Sequence, residues 1–169
     1  MIKKLITAIF RISLLIIASV FIFACSHTPQ DIEPQNVEEY SEPVVPLKKG
    51  QKIADLARAM LGSPYKYGGD SPSGFDCSGL VFYTHGELGI RTPRTSLQQF
   101  NTAKAITTTQ LSSGDLVFFK LNKQDVSHVG IYIGQGRFVH APKSGKRVSV
   151  NYLNDEYWKP RFAGAGRLY

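Results

Sequence analysis

Apolar residues divide the chain into three stretches with different periods. Residues 12–24 are apolar apart from two serines, and a further apolar run from Leu5 reaches them across Arg11. Residues 26–47 carry no hydrophobic period. From Lys48 the pattern becomes that of a folded domain of about 120 residues, an ordinary size for a single core. Ile53, Leu56, Ala57, Met60 and Leu61 recur at helical spacing and stop at Gly62-Ser63-Pro64, which predicts a first amphipathic helix. Residues 77–85 are almost continuously apolar behind Asp76, a good N-cap, and predict a buried central helix. Residues 96–100 read as a short third helix. After residues 111–115 the period changes. Residues 116–119 predict a strand buried on both faces, and residues 126–133 and 137–141 two strands around Gly134-Gln135-Gly136. Residues 146–150 predict a further strand, 153–158 a short helix and 162–168 a strand that closes the sheet. Helices first and a meander afterwards make an α+β layer arrangement, with the helices packed on an antiparallel sheet.

The first stretch has the order of an export signal: a positive start at Lys3 and Lys4, an apolar centre and the small Ala24 before Cys25. A permanent membrane anchor is the alternative, although residues 12–24 are short against the roughly 20 apolar residues that span a bilayer. Ile22-Phe23-Ala24-Cys25 resembles the end of a bacterial lipoprotein signal. That resemblance implies a signal peptide over residues 1–24, diacylglycerol and an acyl chain (palmitate among them) on Cys25 and, because Ser26 rather than aspartate follows, attachment to the periplasmic face of the outer membrane. Several acyl chains on one residue exceed the two-signal threshold for stable anchoring. Residues 25–47 then read as the lipidated cysteine and a tether. Pro29, Pro34, Pro43 and Pro46 stiffen it, and five acids stand in it with no lysine or arginine, so it cannot repay its own ordering entropy.

Charge separates the tether from the domain. Residues 48–169 carry 17 basic and 8 acidic side chains, a net +9. A basic domain implies polyanionic company. Nucleic acid is one candidate, but it sits badly with an export signal and no nucleic-acid motif is present, so no nucleic acid is expected and an anionic wall polymer or lipid headgroup fits better. Charge kept only for solubility is the plainer alternative. The domain has one cysteine, Cys77, which has no disulfide partner left once Cys25 is acylated. In an oxidising compartment a lone thiol is a liability unless it is buried or used.

The position of Cys77 suggests use. The first turn of a helix aims backbone N–H groups and the positive dipole end at the sulfur, which favours the thiolate, and the same N–H groups suit an oxyanion. An inert buried cysteine is the competing reading. Two histidines lie on the hairpin strands. If residues 134–136 form a three-residue loop, Ile133 pairs with Arg137, His140 falls opposite Gly130, and His128 is its diagonal neighbour on the same face, with Gly130 leaving space between them. A slip of one residue would separate the imidazoles. On this register Val129, Ile131 and Ile133 face the core, His128 is the general base, and His140 orients it and fixes its tautomer. His85, about two helical turns from Cys77, reads as packing or surface, and His27 falls in the tether. Two histidines and one cysteine could at most make a zinc triad, so no metal and no cofactor are expected. Tyr65 and Tyr67, before a Gly/Pro/Ser loop, are candidates to donate to an oxyanion or to fill the apolar side of the loop.

Taken in order, Gly62-Ser63-Pro64-Tyr65-Lys66-Tyr67-Gly68-Gly69, Phe75-Asp76-Cys77-Ser78-Gly79-Leu80-Val81, Pro93-Arg94-Thr95-Ser96, Gly114-Asp115-Leu116-Val117-Phe118-Phe119, and His128-Val129-Gly130-Ile131-Tyr132-Ile133-Gly134 through Phe138-Val139-His140-Ala141 resemble the NlpC/P60 family of cell-wall peptidases. With the leader, they resemble its lipoprotein members of the Spr and NlpC type. The resemblance covers nearly all of residues 48–169. It implies a papain-like fold and a monomeric thiol protease that hydrolyses peptide bonds in peptidoglycan stems. Cys77 would be its nucleophile, His128 its base, His140 its third polar residue and Tyr65 its helper tyrosine. Asp76, Ser78 and Arg94 would contact the substrate. Two bonds fit, the D-alanyl–meso-diaminopimelate crosslink and the D-γ-glutamyl–meso-diaminopimelate bond, with the crosslink favoured. A catalytically silent adaptor that only binds cell wall is the alternative class.

Overall fold

The computed structural model describes residues 48–122 and 124–169. The expected leader, Cys25, the tether and His27 lie outside the described residues. Helix α1 is Lys49–Ala59, with Ile53, Ala54 and Ala57 buried, while Leu61 lies past its end and is 43 % exposed. Two short strands, β1 (Asp70–Ser71) and β2 (Gly74–Phe75), pair antiparallel ahead of helix α2 (Cys77–Gly86). Helix α3 follows at Ser96–Thr102, capped by Thr95. The main sheet holds β3 (Lys104–Ile106), β4 (Leu116–Phe119), β5 (His128–Gly134), β6 (Arg137–His140), β7 (Ser149–Tyr152) and β8 (Phe162–Arg167), in the antiparallel order β3-β8-β4-β5-β6-β7.

Alternation within β4 explains the two-sided core. Leu116 and Phe118 join Val129, Ile131 and Ile133 in the cluster under α1 and α2, whereas Val117 and Phe119 join Phe138 and Trp158 on the other face. All four β4 residues are fully buried, as a strand with apolar residues on both faces requires. Arg58 ties α1 to β5 through a 2.7 Å bond from its guanidinium to the Ile133 carbonyl.

Three elements differ from the sequence reading. The strand expected at 146–150 is Ser149–Tyr152, because the segment before it pairs elsewhere. The Val148 and Lys146 carbonyls accept the Gly62 and Tyr65 N–H groups at 2.9 and 3.0 Å, and Val148 N–H donates to the Ser63 carbonyl at 2.9 Å. Residues 153–158 form turns instead of a helix. The Asp155 carboxylate takes the Tyr157 N–H at 2.8 Å, a local bond that competes with helix, and Pro160 stands second in a short 3₁₀ turn, Lys159–Arg161. Finally, β8 lies inside the sheet, and the edge belongs to β3, a strand the sequence did not announce because three residues hold too little alternation to read.

Candidate active site

Asp76 determines where α2 starts. Its φ of −89° and ψ of 175° stand outside the helix, and its carboxylate accepts the Gly79 N–H at 2.6 Å. Gly79 presses on the Gly69 carbonyl so closely that any Cβ there would collide with it, which locks the preceding loop onto the first helical turn. The rest of the Asp76 carboxylate is occupied as well. It takes the Gly68 N–H at 3.0 Å, the Ser78 hydroxyl at 3.1 Å and both arms of the Arg94 guanidinium at 2.9 and 2.8 Å. Arg94 also donates to the Gly69 carbonyl at 3.2 Å. Buried Gln99 joins the Ser78 and Pro93 carbonyls at 3.0 and 2.8 Å. Burial pushes the Asp76 carboxyl up, yet Arg94, the Gly79 N–H and Ser78 together outweigh it and hold the group below its ordinary value. The three residues expected to contact substrate thus bond chiefly to one another; Ser78 is buried, and Arg94 keeps a third of its side chain exposed.

Cys77, partly exposed, is the first residue of α2. Its sulfur meets the Val129 N–H, one residue along β5 from His128. Burial raises the thiol to about 11, more than the N–H groups of Val129, Ser78 and Cys77 itself lower it. The helix start therefore does not by itself produce a resting thiolate, contrary to the sequence expectation; desolvation wins, and the proton must be taken by a base. Tyr65 packs against the same core cluster as Cys77. Its phenol is raised by burial and then by the neighbouring Cys77 and Asp76, so it stays a donor. Tyr67 is 89 % exposed and faces water instead.

The two histidines meet. His128 Nε2 and His140 Nδ1 are 2.8 Å apart, and His140 Nε2 is 2.9 Å from Asn151 Oδ1. Since an amide oxygen only accepts, His140 donates its Nε2–H to Asn151, its Nδ1 accepts, and His128 must donate its Nε2–H. His128 Nδ1 is then left as the unprotonated, proton-accepting atom. The register behind this contact arises differently from the expected three-residue loop. Gln135 and Gly136, at φ 54° and 71°, make a two-residue turn that pairs Gly134 with Arg137, and a bulge at Ile133 restores the Ile131–Val139 pairing. Gly130 likewise leaves room for something other than the imidazoles: a Cβ there would run into the Phe138 ring.

Aromatic rings enclose the pair. Trp158 stacks on His128 at 5.2 Å between centroids and meets His140 edge-on at 4.9 Å, and Phe138 lies 5.0 Å from His140. Burial pulls His128 down to about 3, with His140 adding to the effect, and His140 down to about 4 despite the Asn151 bond. Both imidazoles are neutral across the ordinary pH range. Cys77, Tyr65, His128 and His140 are thus brought to one place, whereas His85 is turned into the core, its Nδ1–H on the Val81 carbonyl at 3.0 Å. Asn151 and Trp158 are the members sequence reasoning missed. Asn151 was readable only from a β7 placed at Ser149–Tyr152, where it pairs with Phe138 on the face of His140. Trp158 carried a weaker signal, as the chain's single tryptophan.

Cys77 at a helix start, the bonded pair His128 and His140, and Tyr65 all fall within residues 62–167, the span that the NlpC/P60 family model matches. The chain belongs to the NlpC/P60 family. Its relatives include the murein DD-endopeptidase MepH of Escherichia coli K12, 38% identical over 128 residues that cover 72% of this chain and 47% of that protein. A probable endopeptidase of Haemophilus influenzae is 32% identical over 163 residues, 95% of this chain and 99% of that one. Among solved structures, an NlpC/P60 family protein from Bacillus cereus superposes with a TM-score of 0.69 at 34% identity, over 73% of this chain and 41% of that one. The chain spans about a third to a half of the length of several curated relatives it matches. The architecture is the papain-like α+β fold of NlpC/P60 domains.

Proposed function

We propose that this NlpC/P60 chain is a cysteine endopeptidase that cleaves stem peptides of peptidoglycan, at the D-alanyl–meso-diaminopimelate crosslink. The observation that carries the reading is the Asn151–His140–His128 relay, which leaves one proton-accepting nitrogen on the residue next to the N–H that meets the Cys77 sulfur. Cys77 Sγ attacks the scissile carbonyl carbon as its proton passes to His128 Nδ1. The oxyanion that forms is met by backbone N–H groups at the start of α2 and by the Tyr65 hydroxyl. The C–N bond then breaks, His128 returns the proton to the leaving amine, and a thioester remains on Cys77. Water, deprotonated by His128, hydrolyses the thioester and restores the thiol. Asp76 and Arg94 hold the loop and helix that frame this chemistry.

The names of relatives point to both bonds, one to a murein DD-endopeptidase and another to a DL-endopeptidase, and the crosslink is preferred because a tether reaching from the outer membrane toward the wall suits an enzyme that opens crosslinks. Incubation with a purified dimeric muropeptide, with products read by mass, tests the choice. Release of intact monomeric tetrapeptide stems is expected; fragments cut after D-glutamate would move the assignment to the other bond, and an uncut dimer and sacculus would return the domain to the adaptor class.

The same reading locates the enzyme at the periplasmic face of the outer membrane, held by acylated Cys25 at the end of the 26–47 tether. Its support is the Ala24-Cys25 end of the apolar leader. Mass analysis of the mature N-terminus should find a triacylated cysteine, and an unmodified N-terminal residue other than Cys25 would remove the anchor from the model.

A further inference from the structure

Helix α3 has one buried residue, and it is polar. Gln99 is fully buried, while Leu97 on the same helix is 40 % exposed. The Gln99 amide nitrogen donates to the Ser78 carbonyl at 3.0 Å and to the Pro93 carbonyl at 2.8 Å. Its Oε1 accepts no bond among the described residues, so the amide serves through its two donors. A residue kept for packing alone would be apolar, because a half-paired buried amide costs more than the same volume of hydrocarbon.

The two carbonyls belong to the segments that frame the nucleophile. Ser78 follows Cys77 in the first turn of α2, and Pro93 precedes Arg94. Side chains join the same segments a second time. Arg94 reaches both oxygens of Asp76 at 2.9 and 2.8 Å and the Ser78 hydroxyl at 3.1 Å. The two ties differ in exposure. The Arg94 side chain is 33 % exposed and that of Asp76 14 %, so a ligand can reach the ion pair, whereas Gln99 is sealed from it. The Gln99 backbone N–H also bonds the Thr95 carbonyl at 2.9 Å, which anchors the amide in the turn that follows Arg94.

We propose that Gln99 is a positioning residue for substrate binding. It holds the 76–78 turn and the 93–94 loop at a fixed separation from the buried side, so that Arg94 can leave Asp76 for a stem peptide without the loop shifting. The inference rests on the peptidase reading for its substrate. Gln99 acts through Arg94 and not through the sulfur, because Cys77 is held separately, by the Asp76 cap on the Gly79 N–H and by the Val129 N–H.

The test measures binding of a purified dimeric muropeptide to the Cys77→Ala protein by calorimetry. Gln99→Met, Arg94→Ala and both together are compared in that background, at a temperature where circular dichroism finds each variant folded. Gln99→Met should weaken binding roughly tenfold, as the loss of two hydrogen bonds from the frame would give, and should add less than about twofold once Arg94→Ala is present. With Cys77 intact, Gln99→Met should react with iodoacetamide within about twofold of the wild-type rate, since the thiol keeps its surroundings. Gln99→Glu has the same size and offers at most one hydrogen to the two carbonyls. It should weaken binding likewise, and it replaces Gln99→Met if that variant does not fold. Undiminished affinity, an equal loss with and without Arg94, no saturable binding, slowed alkylation, or failure of both variants to fold overturns the inference. Because the binding readout needs no turnover, it is separate from the peptidase reading, which fails only if the wild-type protein leaves muropeptides uncut.

Discussion

Replacing Cys77 by alanine abolishes peptide hydrolysis while the domain folds and melts as before. No other thiol lies in residues 48–169, and the side chain is small and only partly buried, so its loss removes the nucleophile and little packing. Replacing His128 by alanine should cost at least the roughly 10²–10⁴-fold typical of a general base. The expected loss lies towards the upper end, because a thiol raised to about 11 supplies almost no thiolate without a base at neutral pH. A graded series should run outward along the relay. His140→Ala removes the acceptor that fixes the His128 tautomer. Asn151→Ala leaves His140 in place but frees it to turn its proton toward His128, so its loss should be smaller and partly restored by Asn151→Asp, which keeps an acceptor oxygen. Single-turnover rates on a muropeptide dimer measure all five variants. Activity within a few-fold of wild type in His128→Ala, or an Asn151→Ala loss larger than that of His128→Ala, would remove the relay from the mechanism.

The parts of this molecule that were legible in the sequence are those fixed by local chemistry. Asp76 before an apolar run marked the start of α2, because an N-cap acts within three residues, and the structure has its carboxylate on the Gly79 N–H. Four consecutive apolar residues marked β4, and alternation marked Val129, Ile131 and Ile133 as core. The α+β class followed from the order of those elements. The β5–β6 register was anticipated through a different turn: the glycines indicated a tight connection, but whether three residues loop, or two turn and one bulges, depends on the positive φ of Gln135. Long-range pairing was not legible. Residues 146–148 have the composition of a strand, and only the presence of the 62–65 loop, distant in sequence, decides that they bind it instead of β6. Electrostatics at the site were illegible for the same reason. A cysteine at a helix start suggests a thiolate, and it takes the packed surroundings, not the spacing, to reverse that. Asn151 and Trp158 complete the relay from segments whose placement was itself misread.

Acidification should unfold the domain well before it protonates the base. His85, His128 and His140 are all buried and neutral in the fold, at about 4, 3 and 4, lowered by burial first in each case. In the unfolded chain each returns to about 6.5. Between those values the unfolded state binds more protons than the folded one, so stability is greatest above pH 6.5 and falls as pH drops toward 4. The slope approaches roughly 1.4 kcal/mol per pH unit per histidine, or about 4 kcal/mol per unit for three. A typical domain holds about 5–15 kcal/mol in all, so about two units of acidification suffice to unfold it. Asp76 adds a loss of the same sign lower down: its folded value is depressed, so its contribution disappears as pH falls through the carboxylate range. Melting temperatures measured from pH 7.5 to 4.5 should therefore fall steeply below 6.5, and activity should track the folded fraction instead of a simple titration near 6.5. His85→Leu separates this account from general acid lability. His85 is remote from the sulfur, and its buried Nε2 has no hydrogen-bond partner among the described residues. The variant should lose about a third of the pH dependence and keep its activity at neutral pH. A melting temperature flat between pH 7 and 5, or an undiminished slope in His85→Leu, would mean that the buried imidazoles do not govern acid stability.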